Sequence, residues 1–201
     1  IKKLSDHILV TSEYVKNYFV ETKNISVLYN SININDYKIN KQKYRNIIRQ
    51  EFGIQHGDIV ICTIGNAQKV KGHYLLIESA KEVLKTNQNV RFLIIAGGVS
   101  NEYRSSWKGK IKNIFKLPYD NLDRMNRLII KANIKNHFIF SGYRNDIPKV
   151  LASVDIIVFP SLLPEGFGRP IIEGMASGIP VIASDTGPSE EILGRNAGLI
   201  V

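Results

Sequence analysis

Ile156-Ile-Val-Phe-Pro160-Ser-Leu-Leu-Pro-Glu165-Gly-Phe-Gly-Arg-Pro170-Ile-Ile-Glu-Gly-Met175-Ala-Ser-Gly-Ile-Pro180-Val-Ile-Ala183 is the stretch whose reading decides the fold. Ile156–Phe159 is apolar at every position, which is the pattern of a strand buried on both faces. It stops at Pro160, and a loop follows that carries Glu165, Gly166 and Gly168. The spacing then predicts a helix over Pro170–Ser177, with proline at the first position, where its missing N–H costs nothing. Gly178 closes that helix, and Pro180–Ala183 is a second apolar strand. Strand, helix and strand in this order make a parallel crossover unit.

The same alternation runs through the rest of the chain. Apolar runs at Ile8–Thr11, Ile25–Tyr29, Ile59–Ile64, Val90–Ile95, His137–Phe140 and Leu199–Val201 are read as further strands. Helical periodicity fits Glu13–Phe19, Lys43–Phe52, Tyr74–Thr86, Leu122–Ala132, Asp146–Ser153 and Pro188–Leu193. The fold class is therefore α/β, a doubly wound, Rossmann-like parallel sheet. Gly65, Gly97 with Gly98, Gly142, and Gly166 with Gly168 each follow a strand within a few residues. Turn chemistry explains any one of them. Together they point to a ligand site at the carboxyl edge, where open parallel sheets bind.

The segment around Glu165 also carries chemistry. A helix N-terminus offers free N–H groups and a partial positive charge, which seats a phosphate. Glu165 precedes the helix, Glu173 lies one turn into it, and both carboxylates are expected to face the cleft. Two carboxylates beside a phosphate repel it unless they meet hydroxyls, so a phosphorylated sugar suits the arrangement.

Composition bounds the alternatives. The chain has 201 residues, with 44% hydrophobic and 22% charged, the balance of a folded globular protein. It begins at Ile1 without Met and is expected to be a piece of a longer protein. No apolar run approaches the roughly 20 residues that span a bilayer. The single cysteine, Cys62, sits in an apolar run and fits core packing in a reducing compartment. A P-loop is absent and the dinucleotide fingerprint lacks its third glycine; neither H-E-x-x-H nor a paired C-x-x-C is present, so no metal is expected. The four histidines are scattered and make no hydrolase triad. The formal net charge is +9, yet residues 151–201 hold 2 basic and 6 acidic side chains. That excess suggests anionic partners, but nothing reads as a nucleic-acid motif, and none is expected as a partner.

The motifs, taken together, resemble the retaining, nucleotide-sugar-dependent glycosyltransferases of family four, which have the two-Rossmann GT-B architecture. Glu165-Gly-Phe-Gly168 and Glu173 match that family's pair of glutamates separated by seven residues. Met175–Ala183 matches its M-A-x-G-x-P-V-I-A continuation, and Gly187-Pro-Ser-Glu190 is similar to its G-G-x-x-E. Gly65 through Lys71-Gly72 resembles its G-R-…-K-G phosphate loop, and Ser141-Gly142 its turn after a strand. Asp6–Ser12 and Val27–Asn30 resemble the end of the acceptor-side domain and the crossover.

The resemblance implies that residues 1–30 end the acceptor-side domain and that 31–201 form the nucleotide-sugar-binding domain, the C-terminal half of a GT-B enzyme. It implies that Glu165 contacts the transferred sugar as the catalytic residue and that Glu173 binds the ribose. Donor binding falls to Gly65, Asn66, Lys71, Gly166, Phe167, Gly168 and Arg169 as well, with Lys71 neutralising the diphosphate. It further implies transfer with retention, no bound metal or other cofactor, and a glycan or lipid-linked acceptor in surface polysaccharide synthesis. The location implied is the cytoplasm, with peripheral contact at the anionic inner face of a membrane. One position departs from the family: Asn66 stands where an arginine is usual, and Lys69 or Arg169 would have to supply the charge. A second departure is that most of the acceptor-side domain is missing. The stretch Ser100–Tyr119, basic with interleaved aromatics, is read as a solvated, partly helical excursion or as a membrane contact. A sugar-nucleotide epimerase of the same fold and a non-catalytic nucleotide-sugar-binding module remain open. A glycan phosphorylase is disfavoured, because no lysine is placed for pyridoxal phosphate.

Overall fold

The computed structural model describes residues 6–19, 24–97, 107–114, 120–194 and 196–201. Gly98 and all of the Ser100–Tyr119 stretch except 107–114 lie outside the described residues. Strands β1 (Ile8–Val10) and β2 (Ile25–Val27) pair in parallel as a small sheet of their own. The main sheet has six parallel strands: β3 (Ile59–Ile64), β4 (Val90–Ile95), β5 (Phe138–Phe140), β6 (Ile156–Phe159), β7 (Val181–Ala183) and β8 (Gly198–Ile200). Their order is β5-β4-β3-β6-β7-β8, so the winding reverses between β3 and β6. Outside the carboxyl ends of those two strands lies the crevice that such sheets use for ligands.

The helices are α1 (Glu13–Lys16), α2 (Lys41–Glu51), α3 (His73–Thr86), α4 (Trp107–Ile114), α5 (Asn121–Lys131), α6 (Ile147–Leu151), α7 (Arg169–Ala176) and α8 (Ser189–Leu193). Because side chains alternate along a strand, the sheet has two apolar faces. Cys62, Leu93, Ile157 and Val181 face Ile48 of α2, Leu151 of α6, Ile171 of α7 and Leu193 of α8. Phe92 and Ile94 face Leu76 and Ile77 of α3 with Met125 and Ile129 of α5. The helices thus cover both faces, as the doubly wound reading requires. Cys62 is buried, and burial pushes its thiol pKa up, so it is core packing.

Some boundaries differ from the sequence reading. The first helix passes into a 3-10 turn at Asn17–Phe19, and His137 belongs to the 3-10 turn before β5. Helix α7 begins at Arg169, so Pro170 is its second residue. The 3-10 turns Ile34–Tyr37 and Lys69–Lys71 are too short to show a helical period, which is why periodicity misses them. Among the described residues no helix is long and apolar enough to cross a membrane.

Candidate functional site

Glu165 and Lys71 meet at the reversal point. Lys71 Nζ lies 2.5 Å from Glu165 Oε2, with both side chains largely covered. The other carboxylate oxygen, Oε1, accepts from Ser161 Oγ at 2.8 Å. Ser161 is buried at the end of β6, beside the Val70 and Leu163 carbonyls. Sequence reasoning passed over Ser161, although its place four residues before Glu165 at a strand end was visible.

Two backbone contacts hold this pair together. Leu162 N–H donates to Val70 O at 2.8 Å. Gly72, at φ +68°, caps α3, and a Cβ there would fall 1.7 Å from Pro160 O. Only glycine permits that approach. His73 follows it, buried, with Nε2 3.1 Å from Asn66 O. Burial lowers the His73 pKa, so the ring is neutral near pH 7. It thereby ties the Gly65–Asn66 turn to the start of α3.

The E-G-F-G loop runs next to α7. Among the described residues the N–H groups of Gly166, Phe167 and Gly168 have no hydrogen-bond acceptor. These donors precede the N-terminus of α7, the kind of backbone end that favours an anion. The carbonyl of Gly166 faces the other way and accepts from Thr11 Oγ1 at 2.6 Å and Ser12 Oγ at 3.0 Å. Phe167 is buried, with its ring 6.2 Å from that of Tyr29. On α8, the Glu191 carboxylate accepts from Glu13 N at 2.8 Å and Tyr14 N at 3.0 Å. The first thirty residues therefore brace the loop from outside the main sheet. Thr11 and Ser12 belong to the Asp6–Ser12 motif, but nothing local pointed to their bonds with Gly166, nor to those of Glu191, because the contacts span more than 150 positions.

A cleft of about 490 Å³ opens along the ends of β3, β4 and the loop after β5. Gly65, Asn66 and Arg169 line it together with Gly97, one of the strand-end glycines of the sequence reading, and with Tyr143 and Asn145, which were not anticipated. The Ser141-Gly142 turn was the available signal for the latter two. Arg144 also borders the cleft, but its guanidinium is engaged by Asp146 at 2.8 Å and Glu51 at 2.5 Å. Arg169 is 70% exposed and bonded through Nε to Glu173, so its charge remains near the cleft.

Glu173 departs from the expectation that both carboxylates face the cleft. Its side chain is only 5% exposed, held by Arg169 at 2.9 Å and by a hydrogen bond from Tyr37. Tyr37, the last residue of the 3-10 turn Ile34–Tyr37, brings its side chain to this position. Burial raises the Glu173 carboxyl pKa against the pull of Arg169 and Tyr37, and burial pushes the Tyr37 phenol up to about 12. Asn66 supplies no charge, as its sequence implied. Among the described residues no group of three or more His, Cys, Asp or Glu side chains is placed to hold a metal ion.

A doubly wound parallel sheet with a lysine–glutamate pair and a cleft at its carboxyl edge defines the class of Rossmann-like α/β proteins. The family of glycosyl transferases group 1 matches residues 44–201, and the chain belongs to it. A UDP-Gal:alpha-D-GlcNAc-diphosphoundecaprenol alpha-1,3-galactosyltransferase of Escherichia coli is 26% identical over 173 residues, which are 85% of this chain and 39% of that protein. The crystal structure of Anabaena HepE in complex with UDP and glucose shares the fold with a TM-score of 0.81, at 22% identity over 100% of this chain and 50% of that one. The C-terminal domain of a glycosyl transferase group 1 family protein from Francisella tularensis aligns with a TM-score of 0.62 and 25% identity, covering 85% of this chain and 80% of that domain. The chain spans less than half the length of the curated relatives it matches. Its fold is that of one half of a GT-B glycosyltransferase.

Proposed function

We propose that this chain is the donor-binding half of a retaining glycosyltransferase that moves a sugar from a nucleoside diphosphate to a glycan or lipid-linked acceptor in surface polysaccharide synthesis. In this reading residues 1–30 end the acceptor-side domain, 31–201 bind the donor, and the protein works in the cytoplasm. The observation that carries it is Glu165, pinned between Ser161 and Lys71 and followed by three amides with no partner among the described residues. The bare pair is neutral. An incoming diphosphate takes Lys71 as a counter-ion and leaves Glu165 free to accept from a sugar hydroxyl. The amides of Gly166, Phe167 and Gly168 and the α7 terminus hold the diphosphate oxygens. Arg169 supplies, at the cleft wall, the charge that Asn66 lacks. Gly65 lets the backbone approach the ligand, and Glu173 orients Arg169 while lying near the ribose.

Electrostatic stabilisation of the leaving diphosphate is the main catalytic effect in this scheme. The bond from the anomeric carbon to phosphate breaks, and the acceptor oxygen bonds to that carbon on the same face. The acceptor's proton passes to the departing phosphate oxygen, so configuration is kept and no metal or cofactor takes part.

Calorimetry of the chain with UDP and with uridine tests the binding half. UDP should bind more tightly by at least tenfold, since charge-assisted hydrogen bonds add about 1.5–3 kcal/mol each. Equal affinity for the two would sink the diphosphate seat. In the full-length protein, Glu165→Gln should lower kcat more than it raises KM, because the contact strengthens as the sugar gains positive character. Ser161→Ala should act in the same sense more weakly. An unchanged kcat in Glu165→Gln would remove the catalytic role.

A further inference from the structure

We propose that helix α4 (Trp107–Ile114) docks this protein on an anionic lipid surface. The helix presents Trp107, Ile111 and Ile114 to solvent at 69%, 41% and 74% exposure. Positions i, i+4 and i+7 share one side of a helix, so these three side chains form a single apolar strip. Such a strip normally turns to the core, and this one turns outward. Residues 107–114 also contain three lysines and no acidic residue. Lys108 Nζ stands 5.7 Å over the Trp107 ring, keeping its cation at the border of the strip.

An apolar strip with the Lys108 cation at its border matches a bilayer interface, with the strip inside and the cation among phosphates. Tryptophan is suited to that depth, since its ring is apolar and its N–H is a donor. The occupant is lipid and not protein for a chemical reason. A strip of three residues on an eight-residue helix is too small for a stable protein interface, which buries about 800 Å² on each partner. A lipid surface needs only a partial apolar face and negative charge, and the chain's net charge of +9 draws it there from a distance. The proposal does not rest on the transferase reading, and either can fail alone.

Trp107 is the single tryptophan of the sequence, so its emission reports on this face alone. The chain is mixed with vesicles of equal parts phosphatidylglycerol and phosphatidylcholine, and separately with pure phosphatidylcholine. The expected result is co-sedimentation with the mixed vesicles only, accompanied by a blue shift of Trp107 emission. Lys108→Glu with Lys110→Glu should weaken binding at least about tenfold, given about fivefold in affinity per lysine at such a surface. Ile114→Ser should reduce the blue shift, and both variants should melt at the parent temperature, since these side chains lie outside the core. Co-sedimentation without a blue shift would mean adsorption through another face and overturn the proposal. So would equal binding to pure phosphatidylcholine, or no binding to either.

Discussion

The two edges of the main sheet both carry buried charge, and they differ in how it is satisfied. At the amino edge, Arg49 donates to the carbonyls of Ser153, Gln55, His56 and Asp58 and to Asp155 Oδ2. Asp155 also accepts from Arg45 and from Val60 N–H. Each guanidinium nitrogen of Arg49 thus has a protein partner. At the carboxyl edge, Lys71 and Glu165 neutralise each other, while three consecutive amides have no partner among the described residues. A polar group with its partners in place is structure, whereas an oriented donor without one is a binding site. Charge alone does not distinguish the two edges. Satisfaction does.

Arg49→Met should break the amino edge most severely. It leaves four carbonyls without this donor and takes one of the two arginines from Asp155, which keeps Arg45 and Val60 N–H, and removal of a buried, hydrogen-bonded charge costs about 3–5 kcal/mol. Urea denaturation should show that loss, while a folded remainder should still bind UDP. A loss under about 1 kcal/mol would mean that water replaces the guanidinium.

Gly72→Ala should come next, acting on the carboxyl edge through the backbone. Its Cβ meets Pro160 O at 1.7 Å, and φ is +68°. Strain and displacement together should cost about 2–4 kcal/mol. UDP affinity should fall with it, because the Lys71 loop must move. Full stability with full affinity would show that the two loops are not coupled.

Lys71→Ala should leave the fold almost untouched, since a partly exposed ion pair adds about 1 kcal/mol or less. Its effect belongs to the ligand: UDP affinity should drop about ten- to a hundredfold, and uridine affinity should stay within about twofold. Equal losses for both ligands would take Lys71 out of the seat.

Glu173→Gln should have the smallest effect, and pH exposes it. The native carboxyl binds its proton more readily than the unfolded one, because burial raises its pKa. Native protein then holds more protons than unfolded protein as pH rises above about 4.5, so stability falls through that window. Glutamine carries no proton to lose. The variant should therefore show a flatter pH profile above pH 4.5, with stability near neutrality equal to or slightly above the parent's. A steeper decline, or outright unfolding, would mean that the bond network with Arg169 and Tyr37 outweighs the burial cost.

The order of strands and helices was legible in the sequence because each element carries its own period. Apolar runs such as Ile59–Ile64 and Val90–Ile95 coincide with β3 and β4 residue for residue. Gly65, Lys71, Glu165 and the E-G-F-G loop were legible because glycine, charge and strand ends are local features. Partnership was not. That Lys71 meets Glu165, that Ser161 holds its second oxygen, and that Thr11 and Ser12 brace Gly166 are contacts between segments far apart in the chain. They exist only once the sheet reverses between β3 and β6 and the β1–β2 pair packs against the loop. The burial of Glu173 has the same origin. Its spacing from Glu165 is a property of the sequence, but its access to solvent is set by Tyr37, carried on a 3-10 turn with no period to read. Local pattern determined which residues stand at the carboxyl edge. Tertiary packing decided that Glu165 pairs with Lys71 and stays partly exposed while Glu173 is sealed, because solvent exposure depends on every neighbour and no stretch of chain encodes it alone.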